Sequence, residues 1–355
     1  MTTKIVNKID FSLDESSNVL CEAVDILING GLVAFPTETV YGLGGDATNP
    51  DASRKIFAAK GRPSDNPLII HIADPSEAEK YTYTNEIYYK LAEKFMPGPL
   101  TVILKSKDII PKETRGGLDT VAVRCPVNGI ARALISVFGK PIAAPSANLS
   151  GSPSPTSAKH VIDDMAGRID MIIDGGECEI GLESTIVKIE DDGSLILLRP
   201  GRITVDELAC VAPVSIASAV TEDLKVGEIA ISPGMKYRHY APKSPLVLLD
   251  GNSDDVLSYI SKEKRGKKAV ICYEEDISVY KKTLDDVTLY SFGAREDISS
   301  QAKHLFAILR EVDKESFDVI YAPVPSKDGI GLALYNRMIR AAAHTIINLK
   351  EGRDG

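Results

Sequence analysis

The chain has 355 residues, a net charge of −9, 44% hydrophobic and 26% charged residues, which is long enough for two cores and too apolar for disorder. Its acidity argues against a surface built to coat nucleic acid, no apolar run is long enough to span a membrane, and its five scattered cysteines (Cys21, Cys125, Cys178, Cys210, Cys272) form no CxxC pair, which sets aside zinc modules and disulfide frameworks. The opening MTTKIVNKIDFSLDES lacks the apolar centre of a secretory signal, so a cytoplasmic protein is expected.

In chain order, Val19, Leu20, Ala23, Val24 and Leu27 recur at helical spacing over residues 18–29, and Gly30-Gly31 closes that helix. A short strand over 32–35 then delivers the string PTETVYGLGGDA, whose Gly42, Gly44 and Gly45 read as a turn because no helical pattern follows them directly. A helix over 53–59 presents Lys60 at its end, opening KGRPSDNPLIIH. Strands are predicted over 67–73, 100–104, 120–124 and 142–144, the last leading into APSANLSG. A hairpin over 184–189 and 194–198 turns at Asp192-Gly193. The polar strings fall at strand ends, where α/β folds place their ligand sites.

Residues 1–210 therefore read as a mixed α/β domain. Residues 211–244 change character: ACVAPVSIASAV is small and alternating, and SPGMKYRHYAP packs cations and aromatics between prolines. This stretch reads as an inter-domain linker. Residues 245–355 alternate strands (PLVLLD, KKAVICY, DVTLYSF, DVIYAPVP) with helices over 254–264, 299–316 and 332–347, a pattern for a smaller Rossmann-like domain. It has no GxGxxG, so dinucleotide binding is not supported.

The chemistry sits in the strings. Lys60 and Arg62, stiffened by Pro63 and Pro67, together with Ser146 and Asn148, suit a triphosphate or another compact anion. Arg124 in TVAVRCP, Ser184 in GLESTIV and Arg199 in LRPGR add to them. An acidic chain that concentrates cations in a few strings focuses them in a pocket. There is no P-loop, HExxH or GxSxG, and the histidines show no metal-ligand spacing. His304 and His344 read as structural residues within amphipathic helices, whereas His71 and His239 stand in special strings. Glu38 and Glu183 read as partners for nearby basic groups, and Thr39 and Thr120 are also ordinary strand residues.

Taken together, the Lys-Gly-Arg, Ser-Ala-Asn, Pro-Thr-Glu-Thr and Glu-Ser-Thr strings resemble the signature of the Sua5/YrdC family of threonylcarbamoyl-adenylate synthases. The SPGMKYRHYAP string resembles the linker of its long, two-domain Sua5 form. The resemblance implies a YrdC-like twisted open mixed sheet with helices, followed by a Rossmann-like Sua5 domain. It implies a nucleotidyltransferase that makes threonylcarbamoyl-AMP and pyrophosphate from L-threonine, bicarbonate or CO2, and ATP. The product serves the N6-threonylcarbamoyladenosine modification of ANN-decoding tRNAs and passes to a tRNA threonylcarbamoyl transferase. No stable direct tRNA binding is expected.

By the same resemblance, L-threonine maps onto Thr39, His71, Arg124, Ala144 and Ser184. ATP maps onto Lys60, Arg62, Asn66, Thr120, Ser146, Asn148, Ser154, Arg199 and Arg238, with Lys60, Arg62, Ser146 and Asn148 nearest the chemistry. Mg²⁺ would accompany ATP rather than occupy a protein cage. The run Tyr237, Arg238, His239, Tyr240 is expected to act as a lid, since a passive tether has little use for alternating cations and aromatics. Two alternatives stand beside this reading. One is another carbamoyl-adenylate former such as the hydrogenase-maturation carbamoyltransferases, whose zinc-finger segment has no counterpart here; the other is an RNA-binding module, which the net charge disfavours.

Overall fold

The computed structural model describes residues 1–7, 15–222 and 240–350, with residues 15–17 described by backbone only. Two compact units emerge, one comprising Met1–Ser150 and Ser154–Tyr237, the other Gly151–Pro153 and Arg238–Gly355. Among the described residues no helix is long and apolar enough to cross a membrane.

The first unit is built on a mixed sheet that runs, edge to edge, through Lys4–Val6, Met171–Ile173, Val33–Phe35, Gly42–Asp46, Ile142–Ala143, Ile69–His71, Thr120–Arg124, Leu100–Ser106, Thr185–Ile189, Leu195–Arg199 and Val214–Ile216. Thr82–Tyr83 pairs beside Leu100–Ser106. Val, Ile and Leu fill the middle strands because both of their faces are covered. On one face the helices Glu15–Ile28 and Gly129–Phe138 place Leu20, Ala23, Leu27, Leu134 and Phe138 against Val33, Phe35 and Ile142. The helix Pro50–Lys60 begins with Asn49 capping Asp51 N and Pro50 in its first turn. It stops because Gly61 adopts φ 62, the left-handed cap that glycine takes without strain. That cap fixes Lys60 at the helix end.

Register decides what faces what. His71 lies opposite Arg124, and Arg124 lies opposite Thr101 on its other side. Directly opposed residues share a face of the sheet, so these three side chains form one row. The predicted hairpin around Asp192-Gly193 is present as Thr185–Ile189 and Leu195–Arg199, antiparallel, with Gly193 at φ 83.

Several expectations need correction. Gly42, Gly44 and Gly45 are not a turn; they sit in the strand Gly42–Asp46, antiparallel to Val33–Phe35. Their function there is close packing. A Cβ on Gly44 would stand 2.7 Å from Phe35 Cε1 and 2.8 Å from Ile142 Cγ2. Residues 214–216, which the sequence places in the linker, form a strand parallel to Leu195–Leu197.

The second unit is a parallel sheet in the order Val287–Ser291, Lys268–Cys272, Val319–Pro323, Leu246–Asp250, Ile346–Asn348. The helices Ser253–Lys262 and Glu274–Thr283 bury Val256, Ile260 and Tyr280 against Val247, Val270 and Tyr321. The second of these helices has no counterpart among the helices the sequence pattern predicts. The last predicted helix ends earlier than expected, as Gly331–Ala341, because Ala343 and His344 take φ 47 and 59. His344 is therefore not helical, and the chain continues into the strand Ile346–Asn348.

Candidate active site

The PTET string is a rigid turn. Thr37 Oγ1 donates to Val40 O at 2.6 Å and accepts from the amides of Thr39 and Val40 at 3.1 and 3.2 Å. Thr39 Oγ1 lies 2.8 Å from the same hydroxyl. This turn, a local Ser/Thr motif, holds Glu38 inward with 3% exposure. Arg124, 4% exposed, donates its Nη2 to Glu38 Oε1 at 2.6 Å. Arg124 Nε and Glu38 Oε2 are both buried with no hydrogen-bond partner. A buried ion pair with one vacant donor and one vacant acceptor is prepared for a molecule that carries both signs of charge.

His71, beside Arg124 in the sheet, is also buried, and its Nδ1 has no partner. Burial, reinforced by the Arg124 charge, pulls its pKa from 6.5 down to about 3, so the ring is neutral at physiological pH. Phe35 meets it edge to face at 6.3 Å, and Phe35 occupies the space that Gly42 and Gly44 leave open. Cys178 is buried, and its thiol is pushed up to about 12 by that burial and then by the Glu38 charge. It offers no thiolate for nucleophilic chemistry.

The two cation-bearing strings meet. Lys60 Nζ donates to Ser146 O at 2.5 Å, Asn148 O at 2.7 Å and Asn148 Oδ1 at 3.4 Å, while Ser150 N donates to Lys60 O at 2.9 Å. Ser146 Oγ donates to the same Asn148 Oδ1 at 2.6 Å. These acceptors are carbonyls and an amide, which hold the ammonium without cancelling its charge. Lys60 is thus a clamp on the Ser-Ala-Asn loop as well as a cation. The loop lies alongside the glycine strand, with Leu43 N donating to Pro145 O at 2.8 Å and Gly42 bridged to Ser146. Ala144 is buried and donates its amide to Ile69 O at 2.9 Å.

A third cluster joins Ser184 and Arg199. Arg199 donates Nε to Ser184 O and Nη2 to Ser184 Oγ, both at 3.0 Å, and Ser184 Oγ lies 2.7 Å from Thr101 Oγ1. Thr101 was missed by sequence reasoning, since inside LTVILKS it looks like any strand threonine. It connects the His71–Arg124 row to Ser184. Ser154, fully buried, donates to Glu183 Oε1 at 2.5 Å.

Asn66 and Thr120 are placed apart from Arg124. Thr120 and Arg124 are the two ends of one strand, roughly 13 Å apart on the same face, a span suited to an elongated ligand. Asn66 is fully buried and both of its amide atoms have no partner. Arg62 follows the Gly61 cap, its amide donating to Phe57 O at 3.0 Å. Arg238, with Tyr237 and His239, lies outside the described residues. Tyr240 is buried in the second unit, its ring 5.0 Å from Phe306 and 5.9 Å from the Arg337 guanidinium. Among the described residues no group of three or more His, Cys, Asp or Glu could hold a metal ion.

The chain is similar to known proteins over nearly all of its length. Residues 25–201 match the family model Sua5_yciO_yrdC, described as telomere recombination, and residues 203–343 match the threonylcarbamoyl-AMP synthase C-terminal domain. The chain is 44% identical to a threonylcarbamoyl-AMP synthase of Bacillus subtilis over 92% of its own length and 94% of the relative's. It is 43% identical to that of Pyrococcus abyssi over 92% and 95%. The crystal structure of P. abyssi Sua5 complexed with L-threonine superposes with a TM-score of 0.85 at 39% identity, covering 98% of this chain and 99% of that one.

Proposed function

The chain belongs to the Sua5/YrdC family of threonylcarbamoyl-AMP synthases in its two-domain form, and from that premise we propose that its first unit condenses L-threonine, bicarbonate and ATP into threonylcarbamoyl-AMP and pyrophosphate. The observation that carries this reading is the buried Arg124–Glu38 pair beside neutral His71, with its vacant donor and acceptor. The Arg124 fork takes the amino-acid carboxylate. Thr39, His71, Ser184 and the Ala144 backbone surround the remainder of the threonine.

The reaction requires no protein nucleophile. The neutral amine of threonine adds to CO2 and gives up one proton, or condenses with bicarbonate with loss of water; the resulting carbamate oxygen attacks the α-phosphate, and pyrophosphate departs. Catalysis of this kind is positioning together with stabilisation of charge on the phosphates. Lys60 and Arg62 supply positive charge, while Ser146 and Asn148 donate hydrogen bonds from a loop that Lys60 itself clamps. Arg199 holds Ser184 and brings a further cation; Asn66, Thr120, Ser154 and Arg238 complete the nucleotide side. Magnesium arrives with ATP as part of the substrate. The intermediate leaves for a tRNA threonylcarbamoyl transferase in the cytoplasm, and this chain does not itself hold the tRNA.

The test is pyrophosphate release by the purified protein with threonine, bicarbonate or ATP omitted in turn. Release should require all three; release that persists without threonine would overturn the assignment.

A further inference from the structure

We propose that Arg115, which none of the polar strings contains, is a further nucleotide-contacting residue that binds the phosphates of ATP. The inference rests on the reading of the first unit as an ATP site.

Arg115 ends the short helix Lys112–Arg115 and is 7% exposed. Its Nε is buried without a partner, and among the described residues its guanidinium makes no hydrogen bond or ion pair. The other buried arginines of the first unit differ: Arg124 donates to Glu38 and Arg199 to Ser184. A largely buried guanidinium with no protein acceptor is costly, and an anion that meets it would relieve that cost.

Its surroundings identify the anion. Leu68 N donates to Thr114 O at 3.0 Å, and a Cβ on Gly116 would stand 3.0 Å from Pro67 N. The segment bearing Arg115 is thus stitched to the loop that runs from Lys60 through Arg62 to Asn66. Thr114 Oγ1 also lies 2.8 Å from Ser53 Oγ, and Arg54 pairs with Glu113 at 2.6 Å. Both bonds anchor the segment to the helix that presents Lys60. Asn66, next to Pro67 in the chain, is fully buried and neither its amide oxygen nor its amide nitrogen has a partner. Two adjacent segments therefore hold an unpaired cation and an unpaired amide on the scaffold that carries the phosphate-binding string. A guanidinium fork fits phosphate oxygens, and the Asn66 amide can donate to the same group.

The experiment compares wild type, Arg115→Met and Arg115→Lys in the full chain by calorimetric titration with ATP, pyrophosphate, adenosine and threonine. Arg115→Met should weaken ATP and pyrophosphate about tenfold or more while adenosine and threonine change less than about twofold. Arg115→Lys should fall between wild type and Arg115→Met. Thermal melts add a readout that a structural role would move the other way. Removing an unpaired buried charge should leave the ligand-free melting temperature equal or higher, and the ATP-induced rise should shrink. Unchanged ATP affinity in Arg115→Met, or a lower ligand-free melting temperature with an undiminished ATP-induced rise, would overturn the proposal. A wild-type chain that binds no ATP would instead bring down the proposed function, and the role of Arg115 with it.

Discussion

Arg124 gives one guanidinium nitrogen to Glu38 across 2.6 Å and keeps its Nε buried without a partner, so the pair is closed on one side and open on the other. Glu38 therefore fixes the orientation of the arginine fork. Removing it strands a buried cation, a loss of about 3–5 kcal/mol for a broken buried pair. Glu38→Ala should lower stability by that order, and Glu38→Gln by less, since one acceptor remains. In Glu38→Gln the KM for threonine should rise about tenfold while that for ATP stays within about twofold. A variant whose ATP KM moves more than its threonine KM would show that Glu38 serves the nucleotide instead.

His71 gives a pH signature. Its pKa is about 3 in the folded chain against an ordinary 6.5. Between those values the unfolded chain binds a proton that the folded chain refuses, so stability is full above 6.5 and is lost as pH falls toward 3. The slope from this one group is at most about 1.4 kcal/mol per pH unit. Urea melts of wild type and His71→Gln between pH 6.5 and 4 should differ by a slope of this sign. Parallel curves for the two proteins would mean that His71 takes up a proton freely in the fold.

Gly44 supports the site from behind. A Cβ there would stand 2.7 Å from the Phe35 ring and 2.8 Å from Ile142, and overpacking of this kind costs about 1–3 kcal/mol. The strain should reach His71 through the Phe35 edge. Gly44→Ala should therefore lower the melting temperature and raise the threonine KM together. Lost stability with an unaltered threonine KM would sever Phe35 from the site.

Two substitutions in the SPGMKYRHYAP string are expected to act differently. Tyr240 is buried on Phe306, so Tyr240→Ala should destabilise the second unit by about 3 kcal/mol, as aromatic truncation in a core does. Arg238→Ala should instead weaken ATP use by about 1.5–3 kcal/mol at little cost in stability. Full ATP turnover in Arg238→Ala would reduce the string to a connector.

Much of this site was legible in the sequence because its residues are polar strings interrupting apolar strands, and Asp192-Gly193 marked a hairpin by turn chemistry alone. Other features were hidden for definite reasons. GLGGD has no alternation and reads as a turn, although the strand needs glycine only because Phe35 and Ile142 crowd it. Thr101 is chosen by register opposite Arg124, a long-range fact that no local pattern carries. The helix Glu274–Thr283 buries only Tyr280, too narrow a stripe to show as periodicity. The final helix seemed longer because Ile346 and Ile347 keep apolar spacing beyond it, while the left-handed Ala343 and His344 end it first.

The clamp on the Ser-Ala-Asn loop has a chemical consequence. Among the described residues Lys60 is the single buried lysine, and its ammonium is engaged by the carbonyls of Ser146 and Asn148. Amine-directed reagents need an accessible nitrogen, and this one is buried and held by backbone carbonyls. Acetylation or reductive methylation in solution would decorate the exterior of the protein and pass over this amine. The rate at which Lys60 is finally modified would then measure how often the loop parts from its helix, giving a clock for the opening of the nucleotide side that needs no substrate.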